Sequence, residues 1–358
     1  MTNIAQGISK VLAYKKQSGL GSPASGSGGQ QLRRTTSTIN LTKEAYQSAE
    51  IRPDQQVADY RHGPNQVTGS IAGELSPGTY EDLMAAVLRK DFVAVTSLTS
   101  AAVTIVASTG VVTFQTGNPL SSGIKVGMVV RFTAGSLAAA NLNKNLLVTA
   151  VTASTMTVSP LNGAALADDA TSVTGVTVAV PGKVSYVPES SQTHDYFTIE
   201  HWFADISQSE VFSDVNVSNI QVSIPATGMA TCTFPLVGLG LSTGASQILT
   251  TPSAITTTGA CAGANGLMMV NGAAVAVITS IDFDVNGNTA AADAVVGSNA
   301  RPDVFQGTVA VSGNMSVYFV DATFRDYFIN ETEVSVNVAL TTSDSATADF
   351  VSFQMPRV

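Results

Sequence analysis

Apolar and polar residues alternate with period two over much of the chain, the mark of strands with one buried face. Residues 67–75 (VTGSIAGEL) put Ile71 and Leu75 on one face and Ser70, Ala72 and Glu74 on the other. SNIQVSIP groups Ile220, Val222 and Ile224. NMSVYFVD sets Met315, Val317 and Phe319 against Ser316, Tyr318 and Val320. EVSVNVAL sets Val334, Val336, Val338 and Leu340 against Ser335, Asn337 and Ala339, and DFVSFQMP aligns Val351, Phe353 and Met355. Helical period is confined to two segments. Residues 79–90 (TYEDLMAAVLRK) carry a stripe of Tyr80, Leu83, Met84, Val87 and Leu88, which should pack on a sheet. Thr79 is placed to cap this helix, Glu81 and Asp82 lie in its first turn, and Arg89 and Lys90 in its last, matching the dipole. Residues 322–329 (ATFRDYFI) predict a shorter helix. The pattern predicts a mainly β chain of antiparallel sheets with one or two helices.

The texture changes after Asp91. Residues 92–182 hold short Val/Thr runs (VTIVAS, VVTFQ, MVVRFTA, LLVTAVTA, TMTVSP), punctuated by Gly110, Gly117-Asn118-Pro119 and Gly135. Short strands at near-regular spacing predict a small β-barrel or sandwich, inserted between residues 1–91 and 183–358 and ending near Pro181-Gly182. Residues 1–35 read as an arm. Its Gly/Ser-rich part, residues 19–31, buries too little apolar area to order alone, so it is either a loose terminus or a segment ordered on a neighbouring subunit. Residues 36–66 are polar and irregular, and predict either a solvated loop or a long hairpin that docks on a partner.

Charge sharpens this division. Of 358 residues only 12% are charged, about half the usual ~25% share. The net charge is −9, and it is unevenly placed: residues 183–358 hold 16 acidic and 4 basic side chains, whereas residues 1–91 and 92–182 are close to neutral. Such a balance opposes tight nucleic-acid binding by phosphate neutralisation, and an acidic body repels polyanions. The 44% hydrophobic content rules out global disorder.

Candidate chemistry is sparse. Cys232 and Cys261 are too few for a disulfide framework or a four-cysteine zinc site, and read as buried thiols. Lys10, Lys15 and Lys16 have no apolar run behind them, so no signal peptide is expected, and no run approaches the ~18 residues of a membrane helix. His62 lies in the polar loop, and the odd spacing of His194 and His201 opposes a shared metal. No nucleophile elbow, zinc signature or phosphate-cradling glycine loop appears, so no catalytic residue and no cofactor are assigned. Asp282, Asp284, Asn286 and Asp293 match the opening and close of a calcium loop. The strand pattern before Asn286-Gly287 favours a two-residue hairpin there instead.

Two stretches together resemble the tail tube (major tail) proteins of long-tailed bacteriophages. One is RRTTSTINLTKEAYQSAEIRPDQQVADYRHGPNQVTGSIAGELSPGTYEDLMAAVLRK: an extended segment, a strand with spaced glycines, then a helix. The other is TVAVSGNMSVYFVDATFRDYFINETEVSVNVALTTSDSATADFVSFQMPRV: a strand, a short helix, two strands and a terminal "lPrv"-like end. Residues 92–182 depart from a minimal member and look like an added outer domain. The resemblance implies two packed antiparallel sheets, as a β-sandwich or barrel, with a flanking α-helix. It implies a non-enzymatic virion protein, made in the host bacterial cytoplasm and built into stacked, six-membered rings of itself. An acidic lumen would conduct DNA without binding it, with the tape measure protein and tail terminator or tip proteins as further partners. Inter-subunit contacts would then fall to Arg33, Arg34, Tyr46, Glu50, Arg52, Asp54, Asp59 and Arg61, whose alternating charges set register. The alternatives are a capsid decoration protein, or an adhesion module whose residues 92–182 offer only Phe92, Phe114 and Phe132 for sugar stacking.

Overall fold

A computed structural model describes residues 4–163 and 165–358, with 46% of the chain in strands and 6% in helices. The N-terminal part contains β1 (Lys10–Lys16), β2 (Gln30–Gln31), β3 (Thr36–Ser37), β4 (Asn40–Gln47), β5 (Tyr60–Glu74) and helix α1 (Glu81–Leu88). The middle contains β6 (Leu98–Val106), β7 (Val111–Thr116), β8 (Val129–Ala134), β9 (Leu146–Val151), β10 (Thr155–Pro160) and β11 (Asp169–Ala179). Next come β12 (Phe197–Phe203), β13 (Gln208–Val217), β14 (Asn219–Pro225), β15 (Thr231–Gly238) and β16 (Gly240–Gly244). The last part contains β17 (Gly266–Val270), β18 (Ala273–Ala274), β19 (Ile278–Asn286), β20 (Thr289–Ala291), β21 (Val304–Gln306), β22 (Ala310–Val317), helix α2 (Thr323–Ile329), β23 (Val336–Thr341) and β24 (Phe350–Met355).

The body is one antiparallel sheet folded into two leaves. The first leaf runs β2-β1-β12-β13, with β16 also on β13. The second runs β5-β15-β14-β19-β22, with β3 and β4 along the outer side of β5. Strand β13 belongs to both. Its register slips opposite Phe197–Ile199, Asp214 adopts φ +53, and Asn216 and Val217 then pair with β15. A bulge of this kind bends a strand, and Asp tolerates the left-handed backbone better than most residues.

The fold at β13 brings the apolar faces together over Phe197, Phe212, Phe234, Ile71 and Leu12, all at most 1% exposed. Each such side chain contributes about 1.5–3 kcal/mol of transfer free energy. Helix α1 fills the gap. Tyr80, Leu83, Met84 and Val87 are buried and Leu88 half-buried, but Ala85 and Ala86 are buried too, so the helix is enclosed rather than amphipathic. Two glycines of β5 admit this packing. A Cβ on Gly73 would meet the Tyr80 hydroxyl at 1.9 Å, and Gly69, at φ +155, passes the Ile39 backbone where a Cβ would come within 2.4 Å.

Several local expectations are corrected. Thr79 does not cap α1; its hydroxyl bonds Ser76 and Thr256 instead, and Tyr80 takes the N-cap position. Arg89 is not in the last turn. It ends the helix in a left-handed conformation (φ 60), is 7% exposed, and donates to the Gly287 and Gly307 carbonyls and to Gln192. Residues 10–34 are not a loose arm. β1 pairs with β12 over its full length, Leu12, Ala13 and Tyr14 are buried, and Lys15 binds the carbonyls of Ser25 and Ser27. The Gly/Ser-rich composition concealed a segment ordered by backbone hydrogen bonds to the chain's own sheet. Asn286-Gly287 closes no two-residue hairpin, because β19 lies between β14 and β22 while β20 pairs with β21. Strand β22 stops at Val317, leaving Phe319 outside it and exposed.

A second sheet, β18-β17-β23-β24, covers the second leaf. Phe353 packs edge-on against Phe283 of β19 at 4.9 Å between ring centroids. The alternation in β23 predicts one polar face, yet all six of its residues are buried. The reason is the middle part of the chain, which closes as a barrel in the order β10-β7-β6-β11-β8-β9. Its Val129, Leu147 and Leu161 pack on Met269 and Ala339, the far face of the β17–β23 pair. Asn145 and Arg131 bond the carbonyls of Ala348 and Thr347, and Asn162 bonds Thr341 and Ser343. Val93 and Val184 form an antiparallel bridge at the barrel's base, with two 2.9 Å hydrogen bonds.

Candidate assembly surface

The second leaf presents one face to solvent. Strand register aligns Glu74, Thr231, Ser223, Asp282 and Asn314 in one row across five strands, and Ala72, Thr233, Gln221, Asp284 and Ser312 in the next. The alternate residues, Cys232, Val222, Ile281 and Phe283, point into the core. Period two thus fixes a polar outer surface of small hydroxyl and amide side chains with three carboxylates. Asn219 donates to both oxygens of Asp284 at 3.2 and 3.1 Å, which holds that carboxylate against the sheet.

Both ends of this leaf are unfinished. Among the described residues nothing pairs with the far side of β4 or of β22. Residues 310–314 are exposed on both faces, including Val311. Every neighbouring pair from β4 through β5, β15, β14 and β19 to β22 is antiparallel. The six strands therefore alternate in direction, and β4 runs opposite to β22. Open edges of this kind are templates for further strands unless they are covered.

β4 and β5 also form a hairpin that outruns the leaf. β15 pairs with β5 only as far as Val67, so Tyr60–Gln66 extend beyond it with β4 beside them. The candidate contact residues divide here. Tyr46, Glu50, Arg52, Asp54, Asp59 and Arg61 lie together on the exposed hairpin, where Arg52 pairs with Asp54 at 2.8 Å, Arg61 with Asp59 at 2.9 Å, and the Tyr46 hydroxyl donates to Glu44. Arg33 and Arg34 lie elsewhere and hold their own chain, through the Thr258 and Lys10 carbonyls. At the hairpin's base Asn65 N–H donates to the Asn299 carbonyl and Arg301 approaches Glu44.

The calcium candidates do not converge. Asp282 and Asp284 are strand residues, Asn286 ends β19, and Asp293 follows β20. Among the described residues no three His, Cys, Asp or Glu side chains are placed to hold a metal ion. Burial pushes the Cys232 and Cys261 thiols up to about 12. No helix among the described residues is long and apolar enough to cross a membrane.

Two polar clusters escape sequence reasoning because their members are far apart in the chain. Glu200 is fully buried and accepts from Ser209 Oγ and from the backbone N–H groups of Ile248 and Leu249. Ser37 Oγ lies 2.9 Å from His201 Nε2, with Glu210 Oε2 3.6 Å from Nδ1. The order of groups is that of a hydrolase triad. However, the imidazole is sealed at 2% exposure, and burial, with Lys10 and Arg34 nearby, brings its pKa down to about 3. A base that weak serves poorly at neutral pH; the contact ties β3 to β12. The signal that would have found either cluster is strand pairing, which no local motif carries.

The sequence profile of a family described as phage tail tube protein matches residues 7–354. The curated proteins contain no match to this chain.

Proposed function

The chain belongs to the phage tail tube protein family, structural components of the virion tail, and from that premise we propose how its subunits join and what they enclose. The β4 edge of one copy pairs with the β22 edge of the next, and six copies close into a ring whose inner wall is the second leaf. The observation that supports this is the alternation of six strand directions with both ends open. An even number of strands per copy lets every junction between copies remain antiparallel, and closure removes both open edges of the second leaf. Heterologous contacts of this kind give rings when the rotation closes.

The polar outer face then lines the lumen. Its Thr, Ser, Gln and Asn side chains give little for DNA to grip, and Glu74, Asp282 and Asp284 repel phosphate. The tape measure protein occupies that channel before ejection, and terminator and tip proteins cap the stack. The barrel of residues 98–179 sits on the far side of the second sheet, away from the lumen, as an outer ornament.

Negative-stain electron microscopy of the purified chain at rising concentration tests the reading. Rings or tubes with an open lumen are expected. A chain that stays monomeric at high concentration in sedimentation, or that forms only trimers as a decoration protein would, overturns it.

A further inference from the structure

Four Asn-Gly steps occur in the chain, at residues 162–163, 265–266, 271–272 and 286–287. Asparagine is a thermolabile residue, and a following glycine has no side chain to shield its main-chain nitrogen from the asparagine amide carbon. For that nitrogen to attack, the peptide unit between the two residues must rotate, its N–H must be free to lose a proton, and the side-chain amide must turn toward it.

Three of the four steps are held. Asn162 Nδ2 donates to Thr341 Oγ1 at 3.1 Å and to the Ser343 and Ser345 carbonyls at 2.8 and 3.2 Å. At residues 265–266 the Asn265 carbonyl accepts the Thr341 N–H at 2.8 Å, which fixes the shared peptide plane against β23. At residues 286–287 the nitrogen itself is tied: Gly287 is buried and its N–H donates to the Ser218 carbonyl at 2.7 Å.

Asn271-Gly272 differs on each count. Val270 of β17 pairs with Ala273 of β18, and the two residues between them adopt φ 50 and 77, the two-residue turn that Asn-Gly favours. Both are exposed, and a Cβ on Gly272 would meet nothing within 4 Å. Among the described residues the Asn271 carbonyl, the Gly272 N–H and Asn271 Nδ2 have no hydrogen-bond partner. Asn271 Oδ1, by contrast, accepts the Ser335 N–H at 2.9 Å. That donor polarises the amide and sits on the oxygen where negative charge develops during attack.

We propose that Asn271 is a site of spontaneous covalent modification, deamidating through a cyclic imide formed with Gly272. The Gly272 nitrogen gives its proton to hydroxide or water and bonds to Asn271 Cγ. The Cγ–Nδ2 bond breaks, and ammonia leaves with a proton taken from solvent. Water then adds to one of the two imide carbonyls and reopens the ring, so that the sum is amide plus water to carboxylate plus ammonium. Opening at one carbonyl gives aspartate; opening at the other gives isoaspartate, with the main chain rerouted through the side chain.

Isoaspartate adds a methylene to the main chain inside a two-residue turn. It displaces both bonds between this turn and Ser335, the second being Asn271 N–H to the Ser335 carbonyl at 2.9 Å. Ser335 leads into β23, whose Val336 pairs with Val270. A tail protein is not renewed once the virion has left its host, so the change accumulates with the age of the particle.

Peptide mapping by mass spectrometry tests the site. The purified chain is incubated at mildly alkaline pH, either folded or in urea, and conversion of amide to acid is followed at all four steps. In the folded chain Asn271 should convert at least about tenfold faster than Asn162, Asn265 or Asn286, because those three react only from locally opened states. In urea the four rates should converge, since the hydrogen bonds that separate them are gone. Gly272→Ala, whose methyl group shields the nitrogen, should slow conversion at Asn271 in the folded chain and leave the other three steps unchanged. Conversion of Asn271 no faster than at the held steps overturns the proposal. So does a rate that Gly272→Ala leaves unaltered, or a ranking that persists in urea, which would place its cause in local sequence and not in the fold.

Discussion

The barrel and the second leaf are built from the same kinds of strand, yet they end differently. The barrel joins β9 to β10 and so closes on six strands, with Val103, Val112, Val130, Phe132 and Met156 sealed inside. The leaf stops at β4 and β22 with unpaired edges and a hairpin projecting past its neighbours. One unit satisfies its backbone within the chain; the other leaves two edges open, which in the proposed ring copies of the chain would complete. The comparison teaches that similar strands can end either closed or open, and that the difference lies in where pairing stops rather than in hydrophobic content.

The harshest test of that contrast uses one phenylalanine in each unit. Phe234→Ala, in the leaf, and Phe132→Ala, in the barrel, each remove a fully buried ring and should cost about 3–5 kcal/mol. In urea denaturation both should show the loss, but only Phe234→Ala should abolish rings and tubes in micrographs. Equal loss of assembly from Phe132→Ala would show that the barrel is part of the assembling unit.

Arg89→Met sharpens the contrast further. It leaves the Gly287 and Gly307 carbonyls without their charged donor, beside the start of the β22 edge. A loss of about 1.5–3 kcal/mol is expected, with Arg89→Lys restoring little because one ammonium cannot span both carbonyls and Gln192. The urea midpoint reads the stability and tube yield reads the edge.

The pH response is smaller. His201 has a pKa near 3 in the folded chain, against about 6.5 when unfolded. Between those values the unfolded chain binds a proton that the folded one refuses, so this group's stabilisation is complete above about pH 6.5 and shrinks as pH falls toward 3. His201→Gln should show a shallower decline of the urea midpoint from pH 7 to pH 4 than wild type. Parallel declines would mean that the imidazole titrates freely.

The smallest effect on stability is expected from Asp282→Asn with Asp284→Asn. As surface changes they should leave the folding free energy within about 0.5 kcal/mol. Tubes should still form, and retention of short DNA by them, at low salt, should rise. Unchanged retention would remove these carboxylates from the lumen.

Much of this was legible in the residues. Alternation in residues 219–225, 278–286 and 350–355 marks strands, and the spacing of Tyr80, Leu83 and Val87 marks α1. The Val/Thr runs of residues 92–182 mark five of the six strands that the structure closes into a barrel. Residues 10–34 misled because Gly/Ser content reports chain flexibility, whereas the segment's order comes from β12, nearly 190 residues away in β1's register. Tyr46, Arg52 and Asp59 could be grouped from sequence because they are close in the chain; Ser37 with His201, and Glu200 with Leu249, could not.

By itself the sequence determined that residues 67–74, 219–225 and 350–355 extend, that residues 81–88 coil, and which face of those strands is apolar, because side-chain period is a local property. Only the tertiary structure decided that β23 is buried on both faces, that β13 serves two leaves, and that β4 and β22 are left without neighbours. Those outcomes depend on strand partners brought together across the whole chain, where register and coverage are settled by contact and not by pattern.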